Sequence, residues 1–147
     1  MTVKVSAAAR GRARQLAAQA LYQWQLNELP PHEIEAQFHV DNNMQKVDQD
    51  YFSDLLHGVA KFRNELDASF SPYLQGMQKE QLDPVTLAIL RMASYELLHR
   101  IDVPYKVVIN EAVNVAKKYG AEDSHKFING VIDKSAARIR NVEKAGN

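Results

Sequence analysis

The chain has 147 residues, 46% of them hydrophobic, enough for one domain with a real apolar core. Its 18 lysines and arginines balance its 18 aspartates and glutamates, so net charge gives no reason to expect a nucleic-acid partner, and the lack of cysteine excludes a disulfide framework or a thiolate metal site. No run approaches the roughly 18 apolar residues of a membrane span, and the first alanines lead into Arg10, Arg12 and Arg14 instead of a signal-peptide core, so a cytoplasmic protein is expected.

The charge is unevenly spread. Residues 1–27 hold Lys4, Arg10, Arg12 and Arg14 and no acid, whereas residues 28–54 hold Glu28, Glu33, Glu35, Asp41, Asp48, Asp50 and Asp54 against Lys46 alone. One end of a neutral molecule is therefore positive, which suits either a solvated tail or a phosphate-binding surface.

Apolar residues recur at helical spacing without sustained alternation, so the fold class is all-α. A first helix is expected from Ser6 or Ala7 to Asn27, burying Ala13, Leu16, Ala17, Ala20, Leu21 and Trp24, and Pro30-Pro31 stops it. A short helix runs on to about Val40; after a polar loop, Asp48 caps a third helix with Phe52, Leu55, Leu56, Val59, Phe62 and Leu66 on its core face. Ser71-Pro72 and Gly76 break the chain, and Asp83-Pro84 supplies the cap and first residue of another helix. There Leu87, Leu90, Ser94, Leu97, Leu98 and Ile101 face one way and Val85, Ile89, Met92 and Ala93 the other, so this helix is central to its bundle or covers a partner with its second face. Beyond Asp102-Val103-Pro104, the stripe Val108, Ile109, Ala112, Val115, Ala116 and Tyr119 leads to Gly120, read as a left-handed C-terminal cap. Asp123 or Ser124 caps the last helix, with stripe Ile128, Val131, Ile132, Ser135 and Ile139, and the chain is expected to fray from about Asn141. The expected whole is a compact bundle of about seven helices in one domain of two small lobes, residues 6–82 and 83–140, with a tail at 141–147.

No constellation of catalytic residues emerges. His32, Glu35 and His39 share a helix face, but residues seven apart lie about 10 Å apart along the axis, too far for one zinc with bonds near 2 Å, so they read as a solvated polar face and no metal is expected. Asp123, Ser124 and His125 are consecutive, about 100° apart around a helix, and cannot line up as a relay. Glycine-rich phosphate loops are missing, so neither an enzyme nor a cofactor is expected.

Two surfaces suit RNA instead. On the first helix Tyr22 lies about 180° from the buried stripe, beside Gln15, Gln19 and Leu26 with Arg12 nearby; an outward aromatic can stack on a base while arginine holds phosphate, unless a later helix covers it. On the last helix Lys126, Asn129 and Asp133 share a polar side with Gly130, and Phe127 borders the core stripe. A glycine inside a helix costs roughly 1 kcal/mol against alanine, so Gly130 implies close approach by a helix or a ligand, helix packing being favoured.

The segment from Asp102 to Lys134, DVPYKVVINEAVNVAKKYGAEDSHKFINGVIDK, closely resembles the C-terminal signature of the NusB family. The pattern R-x-R-x-x-A-x-Q-A-L-Y-x-W-Q from Arg12 to Gln25, and the central YFSDLLHGV and LRMASYEL, resemble the same family in the same order, so the likeness covers nearly the whole chain. The resemblance implies an all-α fold of two helical lobes and a role in processive transcription antitermination. It further implies pairing with NusE, a small-ribosomal-subunit protein, binding of single-stranded boxA RNA in leaders of ribosomal RNA operons, and work within an elongation complex holding other Nus factors. Carried over by position, the RNA-binding residues are Arg10, Arg12, Arg14, Gln19, Tyr22, Tyr119, Asp123, Lys126, Phe127 and Asn129. Tyr119 stands where relatives often have phenylalanine, Gly11 interrupts what is an unbroken arginine run in some of them, and Tyr119 and Phe127 lie on or beside core stripes. For NusE the expected face is the second side of the central helix: Val85, Ile89, Met92, Glu96 and Arg100. The rival readings are an enzyme accessory module, since some RNA cytosine methyltransferases carry a domain similar to NusB, and a protein adaptor that never touches RNA.

Overall fold

In the computed structural model, which describes residues 6–146, every regular element is helical. Lys4, part of the basic N-terminal cluster, lies outside the described residues. The α-helices are α1 (Ala7–Asn27), α2 (Pro31–Asp41), α3 (Gln49–Phe70), α4 (Pro84–His99), α5 (Tyr105–Tyr119), α6 (Ser124–Ile139) and α7 (Asn141–Ala145). Two 3₁₀ turns, Ser71–Tyr73 and Lys79–Gln81, bridge α3 to α4.

Local chemistry sets most of the boundaries. Ser6, Asp48 and Asp83 each accept a hydrogen bond from the backbone N–H three residues on, at 3.0, 3.1 and 2.9 Å, so the starts of α1, α3 and α4 are capped by side chains. Glu28 closes α1 in the left-handed region at φ 55°, and Pro31 opens α2 at a position where a missing N–H costs nothing. α3 bends at Phe62, whose φ of −105° and ψ of 20° leave the helical range.

α4 is the axis of the molecule, with α1, α3, α5 and α6 all packed on it. Every residue from Ala88 to Leu97 is buried, so both apolar faces of this helix are core. This overturns the surface expected for a partner: Ile89, Met92 and Glu96 are 0, 1 and 1% exposed, because α1 and α3 occupy the side on which they lie. Val85 and Arg100, at the two ends, are half-buried. Ile101 is 80% exposed, not core, since the helix stops at His99 and the chain turns away.

Three other local readings change. Gly120 is extended, at φ −84° and ψ 168°, not left-handed; a Cβ there would sit 2.7 Å from the Ala116 carbonyl oxygen and against the Ser124 hydroxyl, so close approach is what demands glycine. The left-handed residue of that turn is Asp123, at φ 65°, and its side chain makes no capping hydrogen bond. Nothing lies within 4 Å of a Cβ built on Gly130, so helix packing does not require that glycine. Residues 141–145 are helical instead of frayed, and the reason is adjacent. The buried Arg140 guanidinium donates to the carbonyls of Glu96, Leu97, Arg100 and Val103 at 2.9–3.2 Å, while Glu143 accepts from the Tyr105 N–H at 3.0 Å. One arginine and one glutamate thus satisfy orphan groups at the end of α4 and the start of α5.

Candidate nucleic-acid interface

The RNA-binding residues expected from the sequence separate into three groups. The first lies where α1 passes α5. Gln19 donates through Nε2 to the Tyr119 hydroxyl at 3.1 Å and to the Gln15 carbonyl at 3.3 Å, and Lys118 donates to Gln15 Oε1 at 2.9 Å. Tyr22 and Tyr119 are 37 and 36% exposed and, with Ala18, Gln19, Gln23 and Val85, line a cleft of about 280 Å³. No helix covers Tyr22. The end of α5 adds charge: Lys117 and Lys118 are exposed, and Lys118 Nζ stands 5.5 Å from the Tyr119 ring centre.

The second group follows at the start of α6. Asp123 and Phe127 line a groove of about 400 Å³ that also takes in Met77, Leu82, Thr86 and Ser124. Lys126 pairs loosely with Asp123 at 3.5 Å, Asn129 is exposed, and Phe127 is half-buried against the core. A tyrosine face, a phenylalanine edge and a solvated lysine therefore occur on consecutive parts of one molecule, joined through the α5–α6 turn.

The third group, the arginines, does something else. Arg14 is 2% exposed and makes a fork to Glu96 through Nε and one terminal nitrogen at 2.8–3.1 Å, with its other nitrogen 3.5 Å from Glu111. Tyr51 donates its hydroxyl to the same Glu96 carboxylate. Burial alone would lower the Arg14 pKa; the Glu96 carboxylate outweighs burial and holds it above the ordinary value. The expected phosphate contact from Arg14 is thus corrected: its guanidinium is sealed between α1, α4 and α5. Arg10 is partly exposed, lies 4.4 Å over the Tyr51 ring, and pairs with Asp48 at 3.4 Å and Asp102 at 3.7 Å. Only Arg12 is well exposed, with one donor spent on the Lys46 carbonyl at 3.1 Å. Arg100, expected at the partner face, is held by Asp102 and Asp54 at 3.0 Å each, Asp102 being the stronger cause of its raised pKa.

This geometry can be set beside known proteins. The family model described as NusB family matches residues 11–137. The chain belongs to the NusB family. Among its relatives, the transcription antitermination protein NusB of Teredinibacter turnerae is 63% identical over 141 residues, covering 96% of each chain. Among solved structures, NusB of T. maritima superposes with a TM-score of 0.75 at 29% identity over 92% of both chains. A chain from a complex of antitermination factors NusB and NusE with dsRNA superposes with a TM-score of 0.80 at 25% identity, covering 90% of this chain and 99% of that one.

The geometry also identifies what sequence reading passed over. Val85 was assigned to a partner face, yet it lines the cleft beside Tyr22; Ala18, Gln23 and Lys118 were not singled out at all. A helical wheel places Ala18, one turn before Tyr22, on the same face, so that much was available locally. Val85 reaches the cleft, and Lys118 its neighbour Gln15, only through tertiary packing. His32, Glu35 and His39 also differ from a uniformly solvated face, because Glu35 accepts a hydrogen bond from His57 at 2.8 Å.

Proposed function

We propose that this protein is an RNA-binding transcription antitermination factor that pairs with NusE and binds single-stranded boxA-type RNA, supporting processive transcription of ribosomal RNA operons. The observation that carries the RNA part is the α1–α5 cleft, where two half-exposed tyrosines flank a fixed glutamine beside a solvated lysine. Rings of this kind stack on bases, and neighbouring lysine and arginine hold phosphate. The RNA path runs from Arg12 past Gln19, Tyr22 and Tyr119 to Asp123, Lys126, Phe127 and Asn129, with Arg10 at its margin. It follows the seam of two lobes, residues 6–82 and 83–140, since α1 of the first meets α5 of the second. No described helix is long and apolar enough to cross a membrane, and no group of three metal-binding side chains occurs among the described residues. The protein works in the cytoplasm by binding alone, without catalysis.

The test is anisotropy of labelled boxA RNA against a scrambled strand and a duplex, with and without NusE, over a salt series. Selective binding that tightens with NusE and weakens with salt is expected, with a slope of about 0.7 per neutralised phosphate. Tyr22→Ala should weaken it by about 1–3 kcal/mol, the worth of one base stacked on an aromatic ring. Absence of selectivity even with NusE present overturns the RNA reading and leaves a protein adaptor.

A further inference from the structure

We infer that Tyr119 is a specificity-determining residue: its hydroxyl pairs with the Gln19 amide, so that the α1–α5 cleft prefers a base that sets an amino group beside an acceptor ring nitrogen, as adenine and cytosine do, over uracil. The inference rests on the RNA reading above and adds to it a rule for one base position.

Hydrogen-bond accounting gives the rule. The Gln15 carbonyl can only accept, so the end of the Gln19 amide facing it at 3.3 Å must be nitrogen; a flipped amide would set oxygen against oxygen. The other N–H of Nε2 goes to the Tyr119 oxygen at 3.1 Å, which commits both amide hydrogens. Because that oxygen accepts from Gln19, the hydroxyl proton points elsewhere and stays available as a donor. No donor among the described residues reaches Gln19 Oε1. Gln19 Oε1 is thus left as a free acceptor and the Tyr119 hydroxyl as a free donor, on two residues that both line the cleft.

The rest of the cleft suits a base instead of a phosphate. Its lining of Ala18, Gln19, Tyr22, Gln23, Val85 and Tyr119 holds no charged side chain, its floor is apolar, and its volume of about 280 Å³ suits a small planar group. The amino group of adenine or cytosine donates to Gln19 Oε1 while the adjacent ring nitrogen accepts from the Tyr119 hydroxyl. Uracil offers a carbonyl and an N–H at those two places, setting acceptor against acceptor and donor against donor. A phenylalanine at this position would keep the ring and remove the donor, leaving the Gln19 amide held by the Gln15 carbonyl alone.

The experiment compares the wild type with Tyr119→Phe on labelled oligo(A), oligo(C) and oligo(U) at low salt, where single-strand binding is strongest. The variant should bind oligo(A) and oligo(C) about ten-fold more weakly and oligo(U) within about two-fold of wild type. Tyr119 is half-exposed near a helix end and keeps its ring, so an unchanged melting temperature should accompany that result. An equal loss on all three strands would make Tyr119 merely structural or stacking and overturn the inference, as would no loss on any. Failure of the wild type to bind any of the three overturns it too; boxA binding by the same preparation would show that the broader RNA reading survives.

Discussion

The two halves of α1 carry the same message in sequence and opposite ones in space. The N-terminal half, with Arg10 and Arg14, turns its cations inward onto Glu96, Asp48 and the Tyr51 ring. The C-terminal half, with Gln19 and Tyr22, leaves its aromatic and amide groups on an open cleft. A basic cluster is therefore no measure of the charge offered to RNA. What matters is whether a carboxylate waits inside, and a charge buried with its partner serves the fold before it serves a ligand.

The strongest way to break this contrast is to remove the partner. Glu96→Ala would strip the Arg14 guanidinium of its buried fork and leave it only the looser, partly exposed Glu111 at 3.5 Å, and should cost about 3–5 kcal/mol in urea unfolding. The double variant Arg14→Met, Glu96→Leu should recover much of that loss, because similar volume replaces two buried charges. Tyr51 would still lose its acceptor, so recovery stays incomplete by about 1–3 kcal/mol. If Arg14 contacts phosphate after all, the double variant will lose RNA affinity while staying folded; unchanged affinity is expected.

A second buried pair sharpens the same point through pH. Burial raises the Asp67 carboxyl, but hydrogen bonds from Arg91 and Lys79, at 2.8–2.9 Å, outweigh it and set the pKa below the ordinary value. A depressed carboxylate contributes stability that is present above its unfolded pKa of about 3.9 and is lost as pH falls through the lower folded value. Unfolding midpoints of the wild type should therefore fall through that acid range. Asp67→Asn, already weakened at neutral pH by an unpaired Arg91, should show a shallower acid dependence; an identical slope would separate Asp67 from acid stability.

Much of this fold is legible in the sequence because its determinants are local. The caps Ser6, Asp48 and Asp83 sit within one turn of the groups they satisfy, and the apolar spacing of α3, α5 and α6 names their core faces. The misread positions depend on distant groups. Arg14 finds Glu96 across 82 residues, and Arg140 satisfies carbonyls in the last turn of α4 and just beyond it from more than 35 residues away, so neither could be taken from its own neighbourhood. Gly120 is the local exception: it was legible as a stop but not as the right kind of stop, since a Cβ there would meet the Ala116 carbonyl and the Ser124 hydroxyl, each four residues away. The candidate site was readable to the extent that it lies on α1, where an outward Tyr22 beside Gln19 is a matter of helical angle, and not where α5 closes over it.

Gly58 tests how tightly the interior is made, beneath the residues that orient the rest. It is buried on α3, and a Cβ there would overlap the Tyr95 ring, which donates its hydroxyl to Asp54 at 2.7 Å; burial and that carboxylate push the Tyr95 pKa up to about 12. Gly58→Ala must displace a ring that is only 6% exposed and should cost about 1–3 kcal/mol, typical of overpacking, with no selective effect on RNA. A stability change below about 0.5 kcal/mol, the usual range for surface sites, would mean that α3 and α4 can slide apart at this crossing.

Arg12 should give the smallest effect and the cleanest separation of the two halves of α1. It is the exposed member of the three arginines, and its internal bond reaches only a backbone carbonyl, so no buried carboxylate is orphaned when it is removed. Arg12→Ala should leave stability within about 0.5 kcal/mol of wild type. If its guanidinium neutralises one phosphate, the slope of log affinity against log salt should fall by about 0.7, uniformly across RNA sequences. The Arg14, Glu96 double variant should leave that slope alone. A reversed outcome, with the slope moving for Arg14 and not for Arg12, would require the N-terminal turn of α1 to open on RNA and release the cation that the free protein keeps inside.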